Sequence, residues 1–499
     1  MRRPSNEPGG RRICYPVPVH RAASLRLSAW ALVALASTAA SASPLEEPTL
    51  GGAVFTGPTH PHASSIYLSP AALTLGLTGH QAYVGGALFA DLIDVDRLMV
   101  SPETGATTEG PTAARRALAL GGIAAYAYTG PRVSGGLALH TPYAEMFGSL
   151  DDPLRYHGVG GHHVQAMISG AGAFRVTDGF VFGATLSLAY TWFSLDFDRD
   201  TALAAGRAPS RGIEGDCGGE LCGLEHPQAA QRFELDHRTG GVGELFDTTN
   251  VSLTISALLR LADGWWLGAS FLQPPGGFGD LSLAGDARVT TAPRDGEPRT
   301  LEGVSELTYN LPQSARVGVR GIVLPDYELI FGLEWHNGSR HDRLDLRLLG
   351  EDFVGEDVPE WQPRYRGLRD SFRVSAGLEG LPGQTVRLGG RVRLDSGSTG
   401  RRALAPLQVA GPSAAIAGGA ELRLAQNLVL TARYELGWHP ARTSDPSAFD
   451  PRAQLDCVDS GYDFDVCEAA REGRALPTAA GRYRRMRHAA GLSLRYDSM

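Results

Sequence analysis

Cysteine is the residue type in this 499-residue chain with the widest range of redox and metal chemistry. Four of its five cysteines form two local pairs, Cys217 with Cys222 and Cys457 with Cys467, while Cys14 lies near the N-terminus. An even number of closely spaced cysteines predicts two loop disulfides in an oxidising compartment. A metal site is the alternative, but neither pair has C-x-x-C spacing or a nearby histidine pair. We expect no metal.

Histidines and acidic residues offer the other candidates for chemistry. His60, His62 and the adjacent His162 and His163 could be metal ligands, although loop histidines are more often solvated. The acidic stretch 456–468 could bind calcium weakly, or it could be a solvated disulfide loop. The chain has no G-x-S-x-G, no H-E-x-x-H and no phosphate-binding G-x-x-x-x-G-K. The sequence therefore predicts neither an enzyme nor a cofactor.

Charged residues alternate with apolar ones in segments of about ten residues. In 385–395, Val386 and Leu388 lie on one face of an extended chain, while Arg387, Arg391 and Arg393 lie on the other. The segments 371–379, 428–438 and 486–496 follow the same pattern. Strict alternation predicts β-strands, and ten residues is the length that a tilted strand needs to cross a membrane.

Turn and loop lengths indicate how these strands are connected. Six strand pairs are joined by short turns at 130–131, 177–179, 262–264, 325–326, 382–383 and 426–427. Longer polar stretches lie between the pairs, at 92–115, 144–161, 198–248, 275–300, 350–369, 396–411 and 441–480. Such segregation is typical of outer-membrane barrels. We predict an all-β fold, a 14-stranded antiparallel transmembrane β-barrel.

The predicted strands begin near 79, 116, 132, 162, 180, 249, 264, 300, 326, 370, 384, 412, 427 and 481. Aromatic residues near the strand ends suit the girdles that such barrels place at the membrane interface. They are Tyr83, Tyr190, Trp192, Trp265, Trp266, Trp335, Tyr434 and Trp438.

The N-terminus has the order of a secretory signal peptide. Six arginines precede an apolar segment at 29–40, and Ala40-Ser41-Ala42 forms a small-residue cleavage site. Cleavage after Ala42 would move the net charge from −8 to −13 by removing six arginines and one glutamate. An acidic mature chain argues against nucleic-acid binding. We therefore expect a signal peptide at 1–42 and export.

Residues 43–78 precede the first predicted strand and read as a small N-terminal plug. They combine apolar residues with Pro58, Pro61 and Pro70, which argue against a continuous helix. A 14-stranded barrel has a lumen that is either filled or open. We predict a plug at 43–78 and a barrel at 79–499; a flexible periplasmic arm is the alternative.

Three stretches of the chain resemble the FadL/TodX-type outer-membrane transporters. Residues 64–73 (SSIYLSPAAL) resemble the family's plug motif, although Ser69 replaces its Asn and Ala72 its Gly. Residues 133–147 (VSGGLALHTPYAEMF) resemble its third strand. Residues 311–332 (LPQSARVGVRGIVLPDYELIFG) resemble its Leu-Pro-x-Ser hairpin, and Glu334-Trp335 follow where the family has an acid and Trp.

The resemblance implies uptake of long-chain fatty acids or aromatic hydrocarbons across the outer membrane of a Gram-negative bacterium. Ligand would enter from outside and leave sideways through a gap in the wall, where Pro142 breaks the third strand because it lacks an N–H. It also implies a monomer that is inserted into outer-membrane lipid by the barrel-assembly machinery. The ligand-binding or gating residues would be Phe55, Ile66, Tyr67, Leu68, Ser69, Pro70, Ala71, Pro142 and Tyr143.

The charged faces of the strands predict a polar lumen. Its charges would include Arg316, Arg320, Glu334, Arg373, Arg387, Arg391, Arg393, Arg433, Glu435 and Arg487. One of these arginines could bind the carboxylate of an acidic amphiphile, or all could form a structural ladder with glutamates. A polar-solute porin, or a surface adhesion barrel without hydrophobic transport, is the alternative function.

Overall fold

The computed structural model describes residues 54–100, 107–147, 152–200, 230–240, 247–276, 280–291, 298–354, 358–380, 385–450 and 452–498. Most of them lie in β-strands. The strands are β1 (Gly79–Val100), β2 (Thr107–Thr129), β3 (Val133–Phe147), β4 (Gly160–Thr177), β5 (Phe180–Asp200), β6 (Ala230–Arg238), β7 (Val251–Ala262), β8 (Trp265–Gln273), β9 (Leu281–Thr290), β10 (Thr300–Tyr309), β11 (Ser314–Leu324), β12 (Tyr327–His336), β13 (Arg343–Leu349), β14 (Trp361–Tyr365), β15 (Ser371–Gly380), β16 (Val386–Asp395), β17 (Ser413–Ala425), β18 (Leu428–Ser444) and β19 (Gly481–Ser498). Within the described residues, no helix is both long and apolar enough to span a membrane.

Fourteen of the strands form a closed antiparallel ring, as predicted. Going around it, β1 to β5 are followed by β7, β8, β11, β12 and β15 to β19. The ring closes where β19 pairs with β1, from His80 opposite Ser498 to Arg97 opposite Gly481. Closure leaves no unpaired edge within this ring.

Side chains alternate between the two faces of the ring. On β16, the side chains of Leu388 and Val392 are exposed on the outside of the ring. Arg391, which lies between these two residues in the sequence, has its side chain buried inside. An apolar exterior with a polar interior is the arrangement that a barrel in lipid requires. The alternation confirms the period-two interpretation of 385–395.

The short connections gather at one end of the ring, which we call the turn end. They join β2 to β3, β4 to β5, β7 to β8, β11 to β12 and β17 to β18, with at most three residues between strands. The predicted turn at 382–383 lies outside the described residues. The opposite end, which we call the loop end, carries the long connections.

One predicted barrel strand was assigned wrongly. The strand expected near 300 is β10, which lies outside the ring; the eighth strand of the ring is β11, beginning at Ser314. β10 belongs to a side sheet that extends from β5 through β6, β9, β10, β13 and β14. Side-sheet strands also alternate apolar and charged residues, so periodicity alone could not separate them from barrel strands.

The side sheet has a hydrophobic core of its own at the loop end. Phe193, Leu195 and Phe197 of β5 pack there against apolar residues from β6, β9, β10 and β13. The opposite face carries charged residues, including Arg288 and Arg347. The loops predicted at 198–248, 275–300 and 350–369 therefore contribute strands to a folded layer.

The loop between β18 and β19 contains two short helices, Arg452–Asp459 and Glu468–Arg471. A disulfide joins Cys457 to Cys467, which confirms that predicted pair. Cys217 and Cys222 lie outside the described residues.

Candidate functional site

Residues 54–78, which we call the N-terminal segment, are almost entirely buried. The segment forms one helical turn at Ser65–Leu68 and a 3-10 helix at Pro70–Leu75. Pro70 begins the second element, because proline is tolerated in the first turn, where its missing N–H is not needed. Phe55, Ile66 and Ala71 are each at most 1% exposed.

Side chains from eight ring strands bind backbone groups of the N-terminal segment. Ser256 of β7 accepts a hydrogen bond from Ala71 N at 2.8 Å, and Arg391 of β16 donates to Thr56 O at 3.0 Å. Further bonds come from Gln81, Thr129, Arg175, Thr185, Arg320 and Glu379, on β1, β2, β4, β5, β11 and β15. These bonds satisfy backbone groups that the segment's irregular structure leaves without internal partners.

Glycines on the inner face of the ring make room for the N-terminal segment. A Cβ on Gly183 of β5 would lie 2.5 Å from Ala71 N, and one on Gly389 of β16 would lie 2.4 Å from Val54 Cγ1. Both distances are shorter than van der Waals contact allows. The wall is therefore shaped to the segment at positions on different sides of the ring.

A buried ion-pair network fixes one end of the segment to β15 and β16. Glu379 accepts hydrogen bonds from Phe55 N at 2.9 Å, Arg387 at 3.0 Å and Arg391 at 3.2 Å. His60 Nε2 lies 3.0 Å from the same carboxylate. Burial lowers the pKa of His60 to about 4, despite the nearby Glu379, and Arg320 and Arg391 add to the effect.

His62 lies beside a second carboxylate of this network. Arg495 Nη1 lies 2.7 Å from His62 Nε2 and 3.4 Å from Glu421. Burial, followed by the Arg495 charge, lowers the pKa of His62 well below its usual value. The expectation that His60 and His62 are solvated was wrong, since both are buried. Within the described residues no group of three or more His, Cys, Asp and Glu side chains could hold a metal ion.

A cavity of about 150 Å³ lies beside the N-terminal segment. Thr56–Thr59, Leu68 and Phe89 line one part of it. A second charge network lines the other, in which Arg373 lies 2.8 Å from Glu334 and 2.9 Å from Asp395. Arg316 also pairs with Glu334, and Arg393 lies 2.6 Å from Glu435. We call it the inner cavity.

Another cavity, of about 110 Å³, lies towards the loop end, and we call it the outer cavity. Its apolar lining includes Ile93, Phe193 and Leu344. Its charged lining includes Arg364 and Arg485, the latter 2.5 Å from Asp91. Burial lowers the pKa of Arg364, on side-sheet strand β14, to about 10.

The wall of the ring is interrupted at β3. The β2–β3 ladder has no residue pairs between Ala119–Glu145 and Ile123–His140. The β3–β4 register also shifts between His140 and Tyr143, which places a bulge at Thr141 and Pro142. Thr141 Oγ1 accepts a hydrogen bond from Gly122 N at 2.7 Å and replaces one missing ladder bond.

The N-terminal segment reaches this interruption. The ring of Tyr67 lies 4.6 Å from that of His140, the last residue of β3 that pairs with β2 before the gap. His140 Nε2 in turn lies 2.9 Å from Ser169 Oγ on β4. The gap, the segment and the neighbouring strand are thus in direct contact.

Neither family models nor curated protein sequences match this chain. Solved structures match it by fold: a FadL homologue of Pseudomonas aeruginosa has a TM-score of 0.63 at 15% identity, covering 92% of this chain and 98% of that one. The toluene transporter TodX of Pseudomonas putida has 0.60 at 14%, covering 90% and 97%. The toluene transporter TbuX of Ralstonia pickettii has 0.57 at 12%, also covering 90% and 97%. The chain has the FadL-type outer-membrane transporter fold.

Within the FadL-type fold, the predicted ligand-binding or gating residues fall into two groups. Phe55, Ile66, Tyr67, Leu68, Ser69, Pro70 and Ala71 lie in the N-terminal segment, and of these Leu68 lines the inner cavity. Pro142 and Tyr143 lie at the interruption of β3. The segment's contact with His140 brings the two groups together.

The predicted lumen charges are on the inner face of the FadL-type ring. Arg316, Arg320, Glu334, Arg373, Arg387, Arg391, Arg393 and Glu435 all take part in ion pairs. Arg433 donates to Tyr83 Oη at 3.2 Å, and Arg487 lies 4.6 Å from the ring of Phe89. Tyr83 is buried inside, so the prediction that it belongs to an interface girdle was wrong.

Proposed function

We propose that this chain is an outer-membrane channel of a Gram-negative bacterium for the uptake of hydrophobic small molecules, either long-chain fatty acids or aromatic hydrocarbons. The N-terminal segment acts as its plug, and ligand leaves sideways through the wall at β3. The observation that carries the proposal is the interrupted β2–β3 ladder, which lies in contact with the segment. In a transmembrane barrel, continuous hydrogen bonds between neighbouring strands normally close the wall. Support also comes from the fold, which two proteins named toluene transporters share.

The two cavities suggest a route through the molecule. The outer cavity combines apolar residues from the ring, the side sheet and the loops, and such a surface suits an incoming hydrophobic molecule. From there ligand passes to the inner cavity beside Leu68 and Phe89. The inner cavity, at about 150 Å³, has the volume of a cavity that holds a benzene molecule, with Leu68 and Phe89 on its apolar side and charged side chains on the other. Longer ligands require the segment to move.

Movement of the N-terminal segment would couple ligand binding to opening. Tyr67 packs against His140, so a ligand that displaces Tyr67 also removes a contact that supports β3 at the gap. Ligand shifts the population towards an open state only if it binds that state more tightly. The lateral exit then releases a hydrophobic molecule into lipid without crossing the charged turn end.

A polar-solute porin is the second candidate, and one observation favours it. A cavity of about 350 Å³ at the turn end is lined by charged residues, including Arg320, Glu328, Arg387, Glu421 and Arg495. If the segment leaves the lumen, this surface would line an aqueous path suited to small polar solutes. The adhesion alternative has no comparable support among the described residues.

Proteoliposomes containing the full-length protein distinguish these functions. We expect uptake of a radiolabelled fatty acid or toluene, and little swelling in a sugar gradient. Deletion of 43–78 should raise ion conductance and sugar permeation, because the strands remain while the plug is removed. Rapid sugar swelling by the intact protein, without uptake of either hydrophobic probe, would instead establish the porin.

A further inference from the structure

Five arginines at the loop end of the ring differ from those inside it. The inward arginines of β11, β15 and β16 pair with carboxylates, as between Arg373 and Glu334 or Arg387 and Glu379. Within the described part of the chain, the five form no ion pair with a carboxylate. We call them the arginine rim: Arg369, Arg401, Arg402, Arg442 and Arg482.

The arginine rim is formed by residues of strands β18 and β19, by the chain just before β15 and by the loop between β16 and β17. Arg369 precedes β15, and its N donates to Ser398 O at 2.7 Å. Arg442 of β18 donates to the next carbonyl, Thr399 O, at 3.3 Å. Arg401, in the loop between β16 and β17, donates to Thr443 O at 2.7 Å, and Arg482 of β19 lies opposite Thr443.

Like charges dominate this part of the surface. The charges that act on Arg442 are those of Arg369 and Arg401, both positive. Four members of the rim are exposed, and Arg442 is half-buried. Placing several cations close together is unfavourable unless anions or solvent compensate them.

Two carboxylates close to the rim, Asp370 and Asp96, have partners outside it. Asp370 accepts hydrogen bonds from Trp335 Nε1 at 3.1 Å and Ser339 Oγ at 2.7 Å. Asp96 is opposite Arg482 in the β1–β19 ladder, but its carboxylate lies 2.9 Å from Arg484. Among the residues that the structure describes, neither carboxylate forms an ion pair with an arginine of the rim.

Apolar residues of the outer wall lie close to the rim along the chain. Phe372 of β15 is three residues after Arg369, Trp438 of β18 is four residues before Arg442, and Met486 of β19 is four residues after Arg482. All three side chains are exposed on the outside. A molecule with an anionic head and apolar chains would match both parts of this surface at once.

We propose that the arginine rim binds the phosphate groups of an anionic glycolipid in the outer leaflet, with its acyl chains against Phe372, Trp438 and Met486. The inference rests on the proposed outer-membrane location, not on the transported ligand. Guanidinium groups bind phosphate oxygens in a bidentate manner and are less strongly hydrated than ammonium groups. Clustered arginines next to a lipid-facing surface are the arrangement expected for an anionic head group.

Binding of bisphosphorylated lipid A to the purified full chain tests the proposal, measured by native mass spectrometry in detergent. The variant R401Q/R442Q/R482Q should bind at least tenfold more weakly than the wild type. The control R288Q/R343Q/R347Q removes the same charge from the side sheet. There each arginine pairs with a carboxylate, namely Glu302, Asp345 and Glu360. The control should bind within twofold of the wild type.

Two further measurements distinguish binding of the whole lipid from binding of a free phosphate ion. Lipid A without its phosphates should bind poorly, and millimolar inorganic phosphate should not displace the phosphorylated lipid. Equal loss of lipid binding in both triple variants, unchanged binding in the rim variant, or displacement by inorganic phosphate would each overturn the proposal.

A heat-modifiable gel shift verifies folding of each variant. Hydrophobic uptake should persist in the rim variant, so failure of the transport proposal is distinguishable from failure of this one.

Discussion

His60 Nε2 lies 3.0 Å from Oε2 of Glu379, although 319 residues separate them, and both side chains are almost fully buried. The same carboxylate accepts the Phe55 N–H and hydrogen bonds from two arginines of β16. A buried carboxylate is stable only when such partners compensate its lost hydration. Glu379 is therefore one of the residues through which the wall holds the N-terminal segment, and its own burial depends on that segment.

Replacing Glu379 with Ala should weaken the attachment of the N-terminal segment. The change removes the acceptor of Phe55 N and leaves buried Arg391 with one acceptor fewer. Breaking a buried ion pair from one side typically costs about 3–5 kcal/mol. We expect single-channel conductance in planar bilayers to rise severalfold.

Glu334→Ala is the matched control for that measurement. Glu334 is also an inward carboxylate, but its partners Arg316, Arg373 and His336 all belong to the wall. Its removal should change conductance much less than Glu379→Ala. Equal conductance changes in the two variants would contradict a specific role of Glu379 in holding the segment.

The N-terminal segment should be released by acid. In the docked segment the pKa of His60 is lowered to about 4, mainly by burial, whereas a solvated histidine has about 6.5. Above pH 6.5 His60 is neutral in both the docked and the released segment, and docking keeps its full stability. As the pH falls from 6.5 towards 4, only the released form takes up the proton, so the docked form becomes progressively less stable. The difference corresponds to about 3 kcal/mol. Conductance should therefore increase between pH 7 and pH 4.5.

Histidine substitutions test the origin of that response. His62 is also buried, with its pKa lowered, and contributes in the same direction. His60→Gln should reduce the pH dependence, and the double variant H60Q/H62Q should nearly abolish it. A double variant with an unaltered pH profile would show that other groups control the opening.

Adjacent glycines on β16 test the fit between wall and segment. A side chain on Gly389 would collide with Val54, whereas one on Gly390 would meet no atom within 4 Å. Gly389→Leu should therefore displace the segment and raise conductance, while Gly390→Leu should leave it unchanged. If the Gly390 variant conducts as strongly as the Gly389 variant, the effect comes from the strand and not from the segment.

The features that could be predicted from the sequence are those with a local physical cause. Alternation and short turns predicted the fourteen-stranded ring. The break in β3 was implied by the resemblance of 133–147 to the third strand of the FadL/TodX-type transporters, with the missing N–H of Pro142 as its local cause. Contacts between distant segments have no such local signal: neither the Glu379–His60 pair nor the fit of Val54 to Gly389 could be predicted. Strand β10 was misassigned to the ring. Its alternating pattern shows that the strand has one apolar face, but it does not show that the strand pairs with β9 and β13 of the side sheet.

The loop between β18 and β19 should depend on its disulfide. Cys457 and Cys467 close a short loop between two helices that have few turns of their own. Such a cross-link is worth about 3 kcal/mol in the chain-entropy model. C457S/C467S should speed trypsin cleavage at Arg471 and Arg474, while mass mapping of the wild type should find Cys217 linked to Cys222. A Cys217–Cys457 link would contradict local pairing.

Pro142→Val should reduce hydrophobic uptake severalfold. Valine restores a backbone N–H and favours extended pairing, so β3 would form a continuous ladder with β2 across the gap between Ala119 and Ile123. A continuous wall would force ligand through the lumen, past the charges around Arg387, where an alkyl chain gains nothing from lipid. The measurement is fatty-acid and toluene uptake into proteoliposomes, with the heat-modifiable gel shift as the check on folding.

Two controls determine whether the gap itself is responsible. Pro131→Val changes a proline in the short turn before β3 and should leave uptake at the wild-type level. Thr141→Val removes the hydroxyl that bonds Gly122 N, so the gap loses a hydrogen bond across it and uptake should stay the same or increase. A Pro142→Val variant that also lacks 43–78 should gain conductance but not hydrophobic uptake, because an aqueous pore does not replace an exit into lipid. If Pro142→Val carries fatty acid and toluene as fast as the wild type, ligand does not leave through β3.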